Sequence, residues 1–171
     1  MAVRPIRFFG DPILRSPTDP IDPTSDRAQV IVDDLIDTVK LPGRAGVAAN
    51  QIGVGFRIFV YNIDGAIGYL INPTMVEVSG EPELMTEGCL SVPDFSFPRL
   101  RYPKATARGF QTDGSEIEVS GGGLLAQALQ HELDHLDGVL YVEGLEPELK
   151  RDALRQIRDA EWFQNTHTLQ A

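Results

Sequence analysis

The segment His131-Glu132-Leu133-Asp134-His135 constrains this chain more than any other, because it sets two imidazoles four residues apart within an apolar stretch. Leu124, Leu125, Ala128, Leu129, Leu133 and Leu136 recur at helical spacing and stop at Gly138, which predicts a helix. On a helix, residues i and i+4 project from one face, within reach of one ion. Glu132 follows about 100 degrees further round, beside such an ion rather than opposite it. A carboxylate there can take a proton from water whose pKa a metal has lowered. The bland alternative is a solvated polar face with two ordinary histidines.

Two imidazoles do not complete a catalytic metal site, which needs a third protein ligand and an open position. Downstream, Gly138 is in place for one large class of such enzymes, but Tyr141 occupies the position of its third histidine. Glu143, Glu146 and Glu148 are alternative ligands, and with one of them the chain reads as an HExxH zinc endopeptidase. Upstream, Thr86-Glu87-Gly88-Cys89-Leu90-Ser91 holds the only cysteine. Gly88 permits close backbone approach, and a thiolate beside a divalent cation is deprotonated and competent as a ligand. Cys89, His131 and His135 are therefore one candidate set, and a buried inert thiol is the competing reading of Cys89. A non-catalytic metal-binding protein is a third reading of the chain.

Composition narrows the partners. A chain of 171 residues, 42% hydrophobic, can bury a real core, and one domain over 1–171 is expected. The formal charge of −10 argues against DNA or an anionic membrane as partner, since both demand a basic surface. The N-terminal residues lack the apolar core of a signal peptide, and no run approaches membrane-spanning length. A single cysteine cannot close an internal disulfide, which fits the cytoplasm.

The proline-rich opening to Thr24 is expected to be extended and superficial. Ser25 is a plausible N-cap for an amphipathic helix in which Ala28, Ile31, Val32, Leu35, Ile36 and Val39 face inward, with Asp33, Asp34 and Asp37 on the other side, ending near Leu41-Pro42-Gly43. Strands are expected at Arg57 to Tyr61, Tyr69 to Ile71 and Met75 to Val78, and as a hairpin of Ala105 to Gln111 with Glu116 to Ser120. Gly121-Gly122-Gly123 interrupts the strand pattern ahead of the histidine-bearing helix. A last helix begins near Pro147 and runs toward Trp162. Strands in runs with segregated helices indicate an α+β fold, with mostly antiparallel sheets around a central metal-binding helix flanked by an N-terminal and a C-terminal helix.

Glu87-Gly88-Cys89-Leu90-Ser91 and Gln130-His131-Glu132-Leu133-Asp134-His135, in this order, closely resemble the peptide deformylase family. Upstream, Arg44-Ala45-Gly46-Val47-Ala48-Ala49-Asn50-Gln51 matches that family's GxGxAAxQ motif. Similarity of pattern runs from at least Phe9 to His135, and three motifs in order are far more specific than HExxH alone. The resemblance implies Cys89, His131 and His135 as metal ligands and Glu132 as general acid/base. It implies that Gln51 offers its side-chain amide, and Leu90 its backbone N–H, to a developing oxyanion, where fixed donors stabilise charge best. Glu87 and Arg101 resemble an ion pair that braces the cysteine loop, without chemistry of their own.

The activity implied is removal of the formyl group from N-formylmethionyl peptides of nascent chains, releasing formate, in a cytoplasmic enzyme that makes at most transient contact with the ribosome. Ferrous iron is the physiological metal that the resemblance implies, while a donor set of two imidazoles and one thiolate also accepts zinc, nickel or cobalt. Small residues before Gln51 suit a strand edge to which an extended peptide adds, and Gly46 is expected to touch substrate. Met85, Leu124 and Ala128 are candidates by position for the wall of a methionine slot, with plain core packing as the alternative. Two departures bear on peptide selectivity: Arg44 replaces the first glycine of the upstream motif, and Ser96 stands where a basic residue is often found. In the C-terminal helix Lys150, Arg151, Arg155 and Arg158 are matched by Glu146, Glu148, Asp152, Asp159 and Glu161, which is not a polybasic docking surface.

Overall fold

The structure, a computed structural model, describes residues 2–168. Helix α1 (Asp26–Val39) is followed by β1 (Gly46–Ala48), β2 (Ile58–Ile63), β3 (Ala66–Ser79), β4 (Glu83–Cys89), β5 (Val92–Arg101), β6 (Lys104–Phe110) and β7 (Glu116–Gly122), then α2 (Gly123–Leu136), α3 (Pro147–Asp159) and α4 (Glu161–Thr168). Short 3-10 turns lie at Pro12–Arg15, Ala49–Ile52 and Tyr141–Gly144. An antiparallel five-stranded sheet has the order β1-β2-β3-β6-β7, and β4 pairs with β5 as a separate hairpin. The fold is α+β. No helix among the described residues is long and apolar enough to cross a membrane.

The large sheet is covered on both faces, and β2 shows why. Ile58, Phe59 and Val60 are successive and all fully buried, because alternate side chains of a strand enter different layers. Ile58 and Val60 pack with Ala28, Ile31, Leu35 and Val39 of α1. Phe59 packs with Leu70, Ala107 and with Ala126, Leu129 and Leu133 of α2. A third cluster joins Leu14, Val92, Tyr141, Val142 and Ile157, tying the N-terminal segment and β5 to α3. Helix α2 thus lies between the five-stranded sheet and the β4–β5 hairpin.

Several expectations change. Tyr69–Ile71 and Met75–Val78 belong to one strand, β3, whose pairing with β6 shifts register twice. Asn72 takes φ 50 at the first shift, and its side-chain amide bonds both backbone groups of Ile21 (3.0 and 2.8 Å), so the irregularity is held by the N-terminal segment. The β4–β5 hairpin was not foreseen, because prolines at 82, 93 and 98 and many charges hide a strand pattern. Asp34 is buried rather than exposed, since the N-terminal segment lies over it and Arg4 pairs with it at 2.7 Å. Strand β7 continues to Gly122, and Gly123 turns directly into α2 at φ 55. The last helix breaks at Ala160 into α3 and α4, and Leu14 of the proline-rich opening is fully buried.

Candidate active site

Helix α2 is fixed at its C-terminal end, which otherwise leaves carbonyls without partners. Thr18 donates its N–H (2.9 Å) and its hydroxyl (2.8 Å) to the Leu136 carbonyl, and Asn50 donates its side-chain amide to that of His135. Arg57 pairs with Asp137 at the cap, 2.7 Å away. Gly138, at φ 79, has no room for a Cβ against the backbone of Arg15. With its end held, the helix presents His131 and His135 from adjacent turns, with Nε2 atoms 3.0 Å apart.

The hairpin brings the third donor. A register shift between Gly88 and Cys89 turns the end of β4 toward α2, and Cys89 Sγ lies 3.2 Å from His135 Nε2. One ligand atom from each of Cys89, His131 and His135 falls within 4.8 Å of the others. Tetrahedral bonds of about 2.1 Å to nitrogen and 2.3 Å to sulfur place donors roughly 3.4 to 3.6 Å apart, a few tenths beyond these separations. One proton cannot satisfy two ring nitrogens and a sulfur together, whereas a divalent cation of borderline softness can. The donor set therefore fits such an ion. Ser91 N–H (3.4 Å) and Gln51 Nε2 (3.6 Å) also point at the sulfur.

Behind His131 stands Glu87, which is almost fully buried. Its Oε1 is 2.6 Å from His131 Nδ1, and it accepts Arg101 Nε at 2.8 Å and Nη2 at 2.5 Å. Burial alone would raise its pKa, but the bonds from Arg101 and His131 outweigh it and hold the carboxyl far below its ordinary value. A carboxylate held ionised there accepts a hydrogen bond from the Nδ1–H, which keeps the ring proton on Nδ1 and turns the Nε2 lone pair toward the other donors. Arg101 also donates to Asp134 at 2.7 Å, and Arg99 pairs with the same carboxylate at 3.4 Å. Burial opposes protonation of both rings, yet His131 is pushed well above its ordinary value by Cys89 and Glu87, while His135 is driven well below it.

Glu132 is 3% exposed, and its Oε2 has no hydrogen bond among the described residues. Burial pushes its pKa up to about 7, against a lowering pull from His131, a value suited to exchanging protons near neutrality. A Cβ on Gly46 would collide with Glu132 Oε1, so only glycine lets β1 lie this close. The carboxylate opens onto a cleft of about 450 Å³.

That cleft is lined by Gly46, Gln51, Cys89, Leu90, Leu124, Ala128, His131 and Glu132 among the residues named from sequence. Met85 is not among them: it sits opposite Arg99 on β4, two residues and about 7 Å of strand from Glu87. Gln51 is buried, with Oε1 accepting from Ala48 N–H at 2.9 Å and Nε2 donating to Ser91 Oγ at 3.1 Å. Glu143, a candidate third ligand, is instead engaged by Arg15 (2.6 Å) and Lys150 (3.0 Å). Tyr141 does not act in place of a third histidine; it is buried, 6.1 Å ring to ring from His131, with its hydroxyl directed at the Phe95 carbonyl. Sequence reasoning missed the bond from Glu87 to His131 and the two arginines on Asp134. The signal was present in the alternate spacing of Arg99 and Arg101 and in the aspartate inside the histidine motif.

Residues 3–151 match the family model for polypeptide deformylase. The chain is 47% identical over 166 residues to the peptide deformylase of Acidothermus cellulolyticus, covering 97% of this chain and 92% of that one. It is 44% identical over 163 residues to the peptide deformylase of Parafrankia sp., covering 95% and 89%. The crystal structure of a peptide deformylase from Legionella pneumophila superposes with a TM-score of 0.87 at 34% identity, covering 96% of this chain and 98% of that one. Agreement of this extent in sequence and in fold, over nearly the whole length of each protein, places the chain in the polypeptide deformylase family, a family of enzymes.

Proposed function

We propose that this chain hydrolyses the formyl amide of N-formylmethionyl peptides from nascent chains, in the cytoplasm, yielding formate and a free α-amine. The observation that carries the reading is the convergence of Cys89 Sγ, His131 Nε2 and His135 Nε2 beside the buried carboxylate of Glu132 at the floor of an open cleft. These three side chains would hold one divalent cation, ferrous iron in the cell, with zinc, nickel and cobalt as competent substitutes. Such an ion, when bound, supplies Lewis acidity that makes water a nucleophile near neutral pH.

The remaining work falls to the chain. Glu132 accepts the proton of the attacking water and delivers it to the departing nitrogen, so that the C–N bond breaks to a neutral amine. Gln51 Nε2, already directed toward the sulfur, and the Leu90 N–H serve the oxyanion that forms on the formyl oxygen. Leu124 and Ala128 offer apolar wall to the methionine side chain. Glu143 is held by Arg15 and Lys150, Glu146 and Glu148 are exposed, and none of the three joins the donor group of Cys89, His131 and His135, which speaks against an endopeptidase site with a carboxylate ligand.

The test is formate release from formyl-Met-Ala-Ser by anaerobically prepared, iron-loaded protein, with metal content measured alongside. Glu132→Gln should retain the metal and lose activity by about a thousandfold, the scale of general acid–base catalysis. Cys89→Ala should lose both. Absence of formate in every metal form, or full activity in Glu132→Gln, overturns the proposal.

A further inference from the structure

We infer that Arg44 is a specificity-determining residue of the cleft, whose guanidinium receives a carboxylate carried by the residues that follow the formylated methionine. The inference rests on the deformylase reading above and extends it to the far end of the substrate.

The direction of the peptide follows from β1. This strand lies at the edge of its sheet, bonded on one side only, to β2. Asn62 N–H donates to the Ala45 carbonyl at 2.8 Å, so antiparallel alternation turns the N–H and C=O of Gly46 away from β2. An extended peptide can pair there, next to Glu132. One way along the edge is closed, because Ala48 N–H is taken by Gln51 Oε1 and both residues are buried. The other way is open, through Arg44 to an exposed Gly43 with open space where a Cβ would go. Residues after the methionine therefore leave past Arg44.

Arg44 is built to meet them. It is half-buried and lines the cleft, and its Nη1 donates to the Thr38 carbonyl in α1 at 2.9 Å. That bond holds the guanidinium in place and leaves most of its donors unused. No carboxylate pairs with it among the described residues, whereas Glu87, a buried acid that also lines the cleft, is neutralised by Arg101. Asp94, exposed, lines the same cleft from the hairpin. In a chain of net charge −10, an anchored guanidinium at the exit suits a planar bidentate carboxylate. The carboxylate can come from an acidic side chain or from the free C-terminus of a short peptide.

The metal-loaded protein decides this with formyl-Met-Ala-Glu-amide, formyl-Met-Ala-Gln-amide and formyl-Met-Ala-Gln with a free C-terminus. At low ionic strength the glutamate or the free-acid substrate should show kcat/KM about fivefold above the neutral amide, carried by KM, and the advantage should shrink as salt is added. Whichever arm gains identifies the source. Arg44→Gln should bring the ratios to one, and Arg44→Lys should restore part of them. Calorimetric binding of the deformylated products Met-Ala-Glu-amide, Met-Ala-Gln-amide and Met-Ala-Gln with a free C-terminus supplies a readout independent of turnover. Equal binding of all three, or ratios unchanged in Arg44→Gln, overturns the inference; formate from none of the substrates overturns the deformylase reading instead.

Discussion

Glu87 does more than brace the cysteine loop. Its two oxygens join Arg101 on β5 to His131 on α2, so one buried carboxylate sets both the position of the hairpin and the orientation of an imidazole. Glu87→Gln keeps the shape and removes the charge. Arg101 would then be left buried with Asp134 as its remaining ion partner, at a cost of about 3 kcal/mol. Metal affinity should fall by about 10- to 100-fold, the usual loss when the group behind a ligating histidine is removed. Competition against a chromophoric chelator and thermal unfolding of the variant check both; unaltered metal affinity would show that Glu87 merely braces. Gly46 belongs to the same scale, because the Glu132 carboxylate fills the space where any side chain would begin.

Between residues and the whole, the decisive pieces are the β4–β5 hairpin and the junction of β7 with α2. The hairpin is two-stranded and marginal by itself, and it is held to α2 by Arg101 with Asp134 and by Gln127 Nε2 donating to the Thr86 carbonyl at 2.9 Å. At the junction, Gly123 adopts φ 55 with open space where a Cβ would go. Gly123→Ala should therefore destabilise through the backbone alone, by about 1 kcal/mol, with no steric contribution. Urea unfolding measures this, and an unchanged midpoint would mean that the left-handed conformation carries no cost there. Gly121 differs, since a Cβ at that position would press on Leu125.

Across the whole molecule, the N-terminal segment acts as a strap over α1 and the end of α2. Thr18 reaches Leu136, Leu14 enters the α3 cluster, and Arg4 and the Ala2 N–H bond the buried Asp34. Burial would raise the Asp34 pKa, but the bonds from Arg4 and Ala2 prevail and hold it below its ordinary 3.8. A depressed carboxylate contributes stability that is present above its unfolded value and lost as pH falls through the folded one. Asp34→Asn should thus cost about 1 to 2 kcal/mol at neutral pH, a figure reduced by the exposure of Arg4. The gap from the parent protein should narrow as pH drops below 3.8. Denaturant titrations at pH 7 and at stepwise lower pH would show this, and a gap independent of pH would contradict it.

Local pattern was enough for α1 with its Ser25 cap, for the hairpin of β6 and β7, and for α2 with both histidines and Glu132 on it, because periodicity and turn chemistry act over a few residues. The pairing of Cys89 with that helix was suggested by motif order, yet its distance from the rings exists only once the hairpin has docked. Asp34 looked like a solvated acid until another segment lay across it, and β3 looked like two strands until Asn72 found Ile21. Met85 looked like cleft wall by position along the chain, but the lining of the cleft on this strand begins one residue later, at Thr86. Whether a polar side chain is buried, paired or aimed at a cavity depends on residues tens of positions distant. No short-range pattern encodes those neighbours, and packing of whole elements decides them.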